Sequence, residues 1–330
     1  MAKDYFIVEY EGHILEPKIF AAAMYSSEFQ RYVRGIGMGG CFLGLPMHGM
    51  EIEEETEKAL QAEGDVVDRA IAEMDASGTD IAFVVPDRLM FLSDDAFPLQ
   101  TNSFVIEACA KYPDRLFPAP NFHPSKRSVK AAIREMEYFA KEQNCKFFKF
   151  YPPDEVWPIN DERFWPFYAK AQELGLVMGV HTGGGAIYGT SNMNGHPMHL
   201  DEVCREFYDL KIVAFHFGWP WTRELCMIAA QYPNLNIGMS WQNRTITSRP
   251  RFFAELLGEA VLFAGVDRVI WSQDGIRDMK RHVEAFKAFQ MPKDLQEGYC
   301  YQALTQEDKA KILGLNFARL VGIEPRKRVD

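Results

Sequence analysis

Short apolar segments alternate along the chain with longer amphipathic ones. The short segments are rich in β-branched and aromatic residues and lack polar alternation, which is typical of parallel strands buried on both faces. The longer segments repeat apolar residues at the spacing of a helix. The short segments predict eight strands, at Phe6–Glu9, Ile81–Val85, Leu116–Asn121, Lys146–Phe150, Leu176–Val180, Ile212–Phe215, Leu235–Met239 and Arg268–Trp271.

The amphipathic segments predict helices between these strands, including Val66–Ala76, Val129–Glu142, Arg163–Glu173, Met198–Phe207, Thr222–Gln231 and Arg251–Phe263. Strands that are each followed by a helix or a long loop indicate a (β/α)8 barrel, whose usual size is about 250 residues. The chain has 330 residues. We therefore expect one distorted α/β TIM barrel domain spanning 1–330, with insertions after the first strand and a C-terminal helical extension.

A doubly wound sheet is the alternative to a barrel. That fold is favoured by a glycine-rich phosphate-binding turn after the first strand, and the segment Glu11–Pro17 is not such a turn. The segment Gly35–Gly40 has the glycines of a dinucleotide loop, but no predicted strand precedes it. We interpret it as a loop over the mouth of the barrel, because glycines without the strand–helix context are a weak signal.

Composition and charge narrow the class of function. The chain carries 36 Lys and Arg against 46 Asp and Glu, a formal net charge of −10. This acidic balance argues against nucleic acid or an anionic membrane as a partner, since both bind a clustered basic face. No apolar run approaches the ~18 residues of a membrane span. The N-terminus is charged too early for a secretory signal, and the six cysteines form no Cys-x-x-Cys pair. We expect a cytoplasmic protein with reduced thiols.

Side chains that can bind metal recur where the predicted strands end, the position of the active site in barrel enzymes. The separations between successive candidates from Lys149 to His216 each suit one βα unit of ~30 residues or more. Imidazole nitrogens and carboxylate oxygens together indicate a first-row divalent metal. His123 also follows a predicted strand, and we expect it to be structural or substrate-facing. The candidate ligands are Glu11, His13, Lys149, His181, His216 and Asp274, of which His216 and Asp274 are the candidate catalytic residues.

Lys149 has two interpretations of equal weight. It either forms an ion pair with a carboxylate at the mouth or is carbamylated and bridges two metals. With a carbamate, the oxygen-rich ligand set suits Fe or Mn at least as well as Zn.

Aromatic residues surround the same predicted strand ends. Aromatic walls suit a ring-shaped or apolar substrate and exclude water. An arginine there is expected to bind a substrate carboxylate through two hydrogen bonds. The candidate substrate-binding residues are Tyr151, His196, Trp219, Trp241 and Arg244, with Tyr188 nearby.

Several segments, among them Phe148–Pro153, His181–Gly183, His216–Trp221 and Lys311–Leu320, form a specific set of motifs. From about residue 66 onward the chain resembles the amidohydrolase superfamily, in the amidohydrolase-related branch that contains aminocarboxymuconate-semialdehyde decarboxylase and resorcylate decarboxylase types. The resemblance implies a distorted barrel with metal at the strand ends. It places Glu11 and His13 at the first-strand ligands, His181 and His216 at the fifth- and sixth-strand ligands, and Asp274 at the last-strand acid.

Two segments depart from the pattern of the branch. The first-strand motif is Glu-x-His rather than His-x-His, a variant that also occurs among the decarboxylases of the branch. The segment Trp271–Gly275 keeps the aspartate but replaces the usual Gly-Ser/Thr-Asp sequence.

These observations predict an enzyme with a divalent metal, Zn, Mn or Fe, at one or two ions per chain. It hydrolyses or non-oxidatively decarboxylates a small carboxylated, cyclic substrate. One alternative is a dinuclear Fe/Mn oxygen-activating hydroxylase with a carbamylated Lys149, and another is a catalytically silent partner subunit. We expect a homo-oligomer, with or without a paralogous subunit.

Overall fold

Every strand that the pattern predicts forms in the structure, a computed structural model that describes residues 5–14, 63–86, 101–184 and 190–325. Within each sheet the strands pair in parallel, and their bounds lie within three residues of the predicted ones. The strands are β1 (Val8–Gly12), β2 (Ile81–Val84), β3 (Leu116–Pro118), β4 (Phe147–Phe150), β5 (Val177–Val180), β6 (Lys211–Ala214), β7 (Leu235–Gly238) and β8 (Val269–Ile270).

Helices occupy the described connections and the C-terminal part of the chain. They are α1 (Val66–Ser77), α2 (Asn102–Lys111), α3 (Val129–Glu142), α4 (Pro152–Glu155), α5 (Trp165–Glu173), α6 (Leu200–Glu206), α7 (Thr222–Gln231), α8 (Thr245–Ser248), α9 (Pro250–Ala264), α10 (Met279–Ala288), α11 (Lys293–Tyr299), α12 (Gln306–Ala310) and α13 (Asn316–Val321). A π-helical turn, Lys311–Leu315, joins α12 to α13. No described helix is long and apolar enough to cross a bilayer. The segment Gly35–Gly40 and Tyr188 lie outside the described residues.

The strands divide into two sheets, one of β1–β2–β3 and one of β4–β5–β6–β7–β8. Backbone hydrogen bonds cross both seams between the sheets, and Ile276 N also donates to His13 O at 3.0 Å across the seam between β8 and β1. Lys149 N donates to Pro120 O at 3.2 Å, and Gly275 N donates to Glu11 O at 2.9 Å. A ring of eight parallel strands in two parts is the distorted (β/α)8 barrel that the sequence predicts.

Side chains that alternate along the strands form two separate apolar clusters. Phe147 and Val177 belong to a cluster with buried members from six of the eight strands, as expected inside the ring, and Phe117 of β3 packs against it. Their neighbours Phe148 and Met178 pack in a second cluster, with the helices. Phe317 of α13 lies in the first cluster, so the predicted C-terminal helical extension is part of the barrel core.

Strand β1 ends later than predicted and contains a bulge. Glu9 pairs with Ala82, but Gly12 already pairs with Val84, so the register shifts between them. The prediction that Glu11 follows the strand was therefore wrong. The polar residues near the bulge interrupt the hydrophobic pattern, so the pattern ended before the strand did. A bulge re-aims side chains at the end of a strand, and here Glu11 and His13 lie at the mouth of the barrel.

Candidate metal centre

Four of the segments that follow strands contain a left-handed residue other than glycine. These are His123 after β3, His216 after β6, Trp241 after β7 and Asp274 after β8, with φ of 46°, 60°, 60° and 62°. Such a backbone conformation is unfavourable by about 1–3 kcal/mol and persists only where the surrounding contacts hold it in place. Residues with this conformation are concentrated at functional sites. The carboxyl end of the barrel is therefore where function is expected.

Glu11, His13 and Asp274 form a compact group of potential ligands. One ligand atom from each lies within 4.8 Å of the others. His13 Nε2 is 3.6 Å from Glu11 Oε1 and 3.5 Å from Asp274 Oδ1. His13 Nδ1 lies 3.0 Å from the carbonyl oxygen of Val85, which only accepts. In the neutral ring Nδ1 therefore carries the proton, and Nε2 directs a lone pair at the carboxylates.

The Glu11 carboxylate provides the test of whether a metal fits here. Glu11 is fully buried, and its Oε2 has no hydrogen-bond partner among the described residues. An unpaired buried carboxylate oxygen is destabilising, and a divalent cation satisfies it. Buried oxygen and nitrogen ligands around that atom fit such an ion.

Lys149 of β4 contacts Glu11 from the other side. Its Nζ forms an ion pair with Glu11 Oε1 and lies 4.1 Å from the ring centre of Tyr151. Burial opposes ionisation of Glu11, but the positive charge of Lys149 outweighs it and holds the pKa of Glu11 well below the usual range. Lys149 thus adopts the ion-pair alternative, while the carbamate bridge stays a prediction.

His181 and His216 lie side by side next to this group. His216 Nδ1 is 3.1 Å from the carbonyl oxygen of Ser240, so in the neutral ring it carries the proton and Nε2 accepts. His181 Nδ1 lies 3.1 Å from that Nε2 and donates to it. Burial lowers the pKa of His181 well below its usual value. His181 is therefore neutral, with its Nε2 lone pair available to a metal.

The structure brings all six predicted ligands together. His216 Nε2 is 3.9 Å from Glu11 Oε1, so the histidine pair adjoins the compact group without belonging to it. The sequence identified the residues but did not distinguish these two subsets.

Arg244 holds the segment that carries Asp274. It is buried, and it donates from Nε to Gln273 O at 3.1 Å and from Nη2 to Asp274 O at 2.8 Å. Burial lowers its pKa to about 10, which leaves the guanidinium charged at neutral pH. Burial and the negative charge of Glu11 raise the pKa of Asp274.

The other candidate substrate-binding residues divide between the site and its rim. The ring of Tyr151 is 6.2 Å from that of His181, and its hydroxyl donates to Pro86 O at 2.8 Å. The Trp241 ring lies 5.4 Å from the Arg244 guanidinium. Farther out, the ring of Trp219 packs on Phe252, with the ring centres 6.4 Å apart, and the ring of His196 packs on Trp221, with the centres 4.6 Å apart.

A family model described as amidohydrolase matches residues 48–323. The chain belongs to the amidohydrolase family. The match confirms the resemblance drawn from the motifs, and with it the expectation of an enzyme. Glu11 and His13 precede the matched range, so their assignment rests on the geometry above.

Solved structures that are similar to this amidohydrolase share its fold. An uncharacterised TIM-barrel protein from Bordetella bronchiseptica is 21% identical, with a TM-score of 0.63 over 96% of this chain and 98% of that one. A 2,6-dihydroxybenzoate decarboxylase complexed with 2,6-dihydroxybenzoate is 16% identical, with a TM-score of 0.63 over 96% and 99%. A 5-carboxyvanillate decarboxylase from Novosphingobium aromaticivorans, complexed with manganese and 4-hydroxy-3-methoxy-5-nitrobenzoic acid, is 17% identical, with a TM-score of 0.63 over 97% and 96%. These likenesses confirm the barrel. No curated protein matches the sequence.

Sequence reasoning missed one buried acid of this amidohydrolase. Glu9 accepts hydrogen bonds from Ser272, Gln273 and Glu11. Burial raises the pKa of Glu9 to about 8, although these three hydrogen bonds act to lower it. The Glu-x-Glu-x-His spacing was the available signal, because alternate residues of a strand share a face.

His123 belongs to a second buried cluster, centred on Glu155. The Glu155 carboxylate accepts from His123 Nδ1 at 2.8 Å and from Asn121, Ser125 and Trp157. Burial opposes ionisation, yet these donors, His123 foremost, lower the pKa of Glu155 to about 2. The contacts tie the segment after β3 to α4, and such a tie favours the structural role expected for His123.

Proposed function

We propose that this amidohydrolase non-oxidatively decarboxylates a small aromatic acid that carries a hydroxyl next to its carboxylate. The observation that carries the proposal is the buried group of Glu11, His13 and Asp274, with the unpaired Glu11 Oε2 beside it. The rings of Tyr151 and Trp241 near the group suit an aromatic substrate. Two structurally similar proteins are decarboxylases of hydroxylated benzoates, which supports this substrate class.

Glu11, His13, His181 and Asp274 would hold one divalent metal, with His216 alongside. When bound, the ion supplies positive charge for the carboxylate and hydroxyl of the substrate. Manganese is the metal of the carboxyvanillate decarboxylase, and the mixed oxygen and nitrogen ligands here suit it. A single ion agrees with the ion pair between Lys149 and Glu11, because a carbamate bridge would need an uncharged lysine.

Asp274 is the proton donor of the proposed reaction. Its carboxyl group protonates the ring carbon that bears the substrate carboxylate. The bond between that carbon and the carboxylate then breaks, its electron pair restores the aromatic ring, and carbon dioxide leaves. Asp274 regains a proton from water. The net change replaces the carboxylate on the ring carbon by a hydrogen and releases carbon dioxide.

The residues around Asp274 orient it and limit water. Arg244 fixes the backbone carbonyl of Asp274, and neither of its two hydrogen bonds uses Nη1. That group is the donor we assign to a substrate carboxylate. The positive charge of Lys149 keeps Glu11 ionised. Trp219 and His196, farther out, are assigned to the rim of the substrate site.

The test measures carbon dioxide release from hydroxylated benzoates, including 2,6-dihydroxybenzoate and 5-carboxyvanillate, by the Mn²⁺-loaded chain in D₂O. We expect one deuterium at the vacated ring carbon, without oxygen consumption. In Asp274→Asn we expect a loss of kcat of about 10²–10⁴-fold, the usual contribution of a general acid. Turnover of lactones or amides alone indicates a hydrolase, oxygen consumption a hydroxylase, and inactivity on every substrate a silent subunit.

Three further expectations from the sequence stay predictions. They are the single domain 1–330, a cytoplasmic location, and a homo-oligomer with or without a paralogous subunit.

A further inference from the structure

Glu9 of β1 has a fully buried carboxyl group that the proposed chemistry does not use. It accepts the backbone N–H of Glu11 at 3.0 Å and that of Gln273 at 2.7 Å. The hydroxyl of Ser272 donates to the same carboxyl group. One side chain thus connects β1 to the segment that follows β8.

This connection crosses one of the two seams between the sheets, that between β8 and β1. Among the described residues β8 pairs with β7, and β1 with β2, but β8 and β1 share no strand pairing. The proposed ligands lie on opposite sides of that seam, with Glu11 and His13 on β1 and the loop after it, and Asp274 after β8. Their separation depends on the hydrogen bonds that cross it.

The Gln273–Asp274 backbone is held from two directions. Arg244 binds its carbonyl oxygens, and Glu9 binds the N–H of Gln273. Asp274 has a left-handed φ of 62°, a conformation that needs such support. Of these two supports, Glu9 is the one that also contacts the backbone of Glu11.

We propose that Glu9 is a positioning residue that sets the distance between Asp274 and the pair Glu11 and His13. The inference rests on the proposed metal centre. Each carboxyl oxygen of Glu9 faces a backbone N–H, Oε1 that of Glu11 and Oε2 that of Gln273. A glutamine there would direct an NH₂ group at one of these donors in either orientation, since an amide nitrogen does not accept. Glu9→Gln therefore keeps the size of the side chain but weakens the hydrogen bonds that cross the seam.

The test is calorimetric titration of the metal-free full chain and of Glu9→Gln with Mn²⁺. We expect the variant to bind about 10–100-fold more weakly, the usual effect of losing a group that orients metal ligands. We also expect an altered electron paramagnetic resonance spectrum of bound Mn²⁺, which a change in folding stability alone would not produce.

Glu155→Gln is the matched control, because Glu155 is another buried glutamate that accepts four hydrogen bonds. We expect it to lower stability and leave Mn²⁺ affinity and the spectrum unchanged. Equal affinity in Glu9→Gln and the unaltered chain, or equal weakening in both variants, overturns the role of Glu9.

If Glu9→Gln does not fold, Ser272→Ala provides a second test, because it removes one hydrogen-bond donor to Glu9 and keeps the Glu9 carboxyl group. We expect weaker Mn²⁺ binding there also, and unchanged affinity overturns the inference. Failure of the unaltered chain to bind Mn²⁺ overturns the proposed metal centre itself, which separates that result from a failure confined to Glu9.

Discussion

One lysine and two histidines converge on the Glu11 carboxylate. Lys149 pairs with its Oε1, and His13 Nε2 and His216 Nε2 lie within 4 Å of that same atom. A buried carboxylate needs such partners, because removing one of them leaves a charge without solvent. Lys149 and a metal ion are therefore expected to share the neutralisation of Glu11.

The substitution Lys149→Met tests this sharing. We expect the metal-free variant to lose about 3 kcal/mol of unfolding free energy, the order found when a buried ion pair is broken. Mn²⁺ binding is expected to tighten, because a positive charge next to the ion is gone. Urea unfolding with and without Mn²⁺ measures both effects.

Lys309→Met is the control for that substitution. Lys309 is also buried, but it donates to the carbonyl oxygens of Lys287 and Phe289 rather than to a carboxylate. Its loss of stability should not respond to Mn²⁺. If Mn²⁺ offsets the loss equally in both variants, or in neither, Lys149 and the metal do not share Glu11.

The sequence identified the six candidate ligands because each carries metal-binding chemistry at a strand end. It assigned Arg244 to a substrate carboxylate but did not predict that its guanidinium binds backbone carbonyls of the Asp274 segment. It offered only a spacing signal for Glu9, whose partners come from the far end of the chain. Hydrogen bonds between segments that are distant in sequence leave no local pattern. Chemistry at strand ends is therefore predictable, while the groups that orient it are not.

At the scale of elements, the loops after β5 and β6 are locked together. Gly184 N donates to Trp219 O at 2.8 Å, and a Cβ on Gly183 would lie 2.3 Å from that same oxygen. Gly183 also has a φ of +92°. These two loops carry His181 and His216, so their close approach sets the spacing of the histidine pair.

Gly183→Ala is expected to lower the unfolding free energy by about 3 kcal/mol, from backbone strain and forced separation of the loops. Gly175→Ala is the matched control, since Gly175 has a φ of +67° but no atom within 4 Å of its added Cβ. We expect about 1 kcal/mol from strain alone there. Chemical denaturation compares the two, and equal losses would refute the close contact.

The Glu155 cluster joins the segment after β3 to α4 and is expected to make stability depend on acid. The pKa of Glu155 falls from 4.5 to about 2 on folding. Its contribution, roughly 3 kcal/mol, is present above pH 4.5 and lost as the pH falls towards 2. Urea unfolding across this range should show a smaller acid dependence in Glu155→Gln, and an unchanged dependence contradicts the assignment.

Element bounds followed the hydrophobic pattern closely where strands are apolar throughout. Helices α3 and α7 have the predicted bounds, and β4 and β5 differ by one residue. Strand β1 was predicted to end at Glu9 because polar residues and a bulge interrupt its pattern, yet it continues to Gly12. The polar candidate-site residues of β1 thus concealed the end of the strand from the hydrophobic pattern.

At the scale of the whole molecule, the proposed metal joins the first strand of the barrel to the segment that follows the last strand. Its proposed ligands come from β1 and the segments after β1, β5 and β8, across the seam between β8 and β1, which share no strand pairing in the described part of the chain. An ion that binds only the folded chain stabilises it by mass action, by about 2.7 kcal/mol at ~100 times the Kd. We expect Mn²⁺ to raise the melting temperature, which differential scanning calorimetry measures, and Glu11→Gln to abolish most of that shift.

The most direct test of the metal centre is the metal content of chain purified without chelator, beside His181→Ala and His216→Ala. We predict one Mn²⁺ or a similar divalent ion per chain, with most of it lost in His181→Ala, which removes a proposed ligand, and a smaller loss in His216→Ala, which removes the partner of His181. Two ions including iron would favour the dinuclear hydroxylase. A chain that holds no metal and does not respond to added metal, or full occupancy in both variants, would contradict the account.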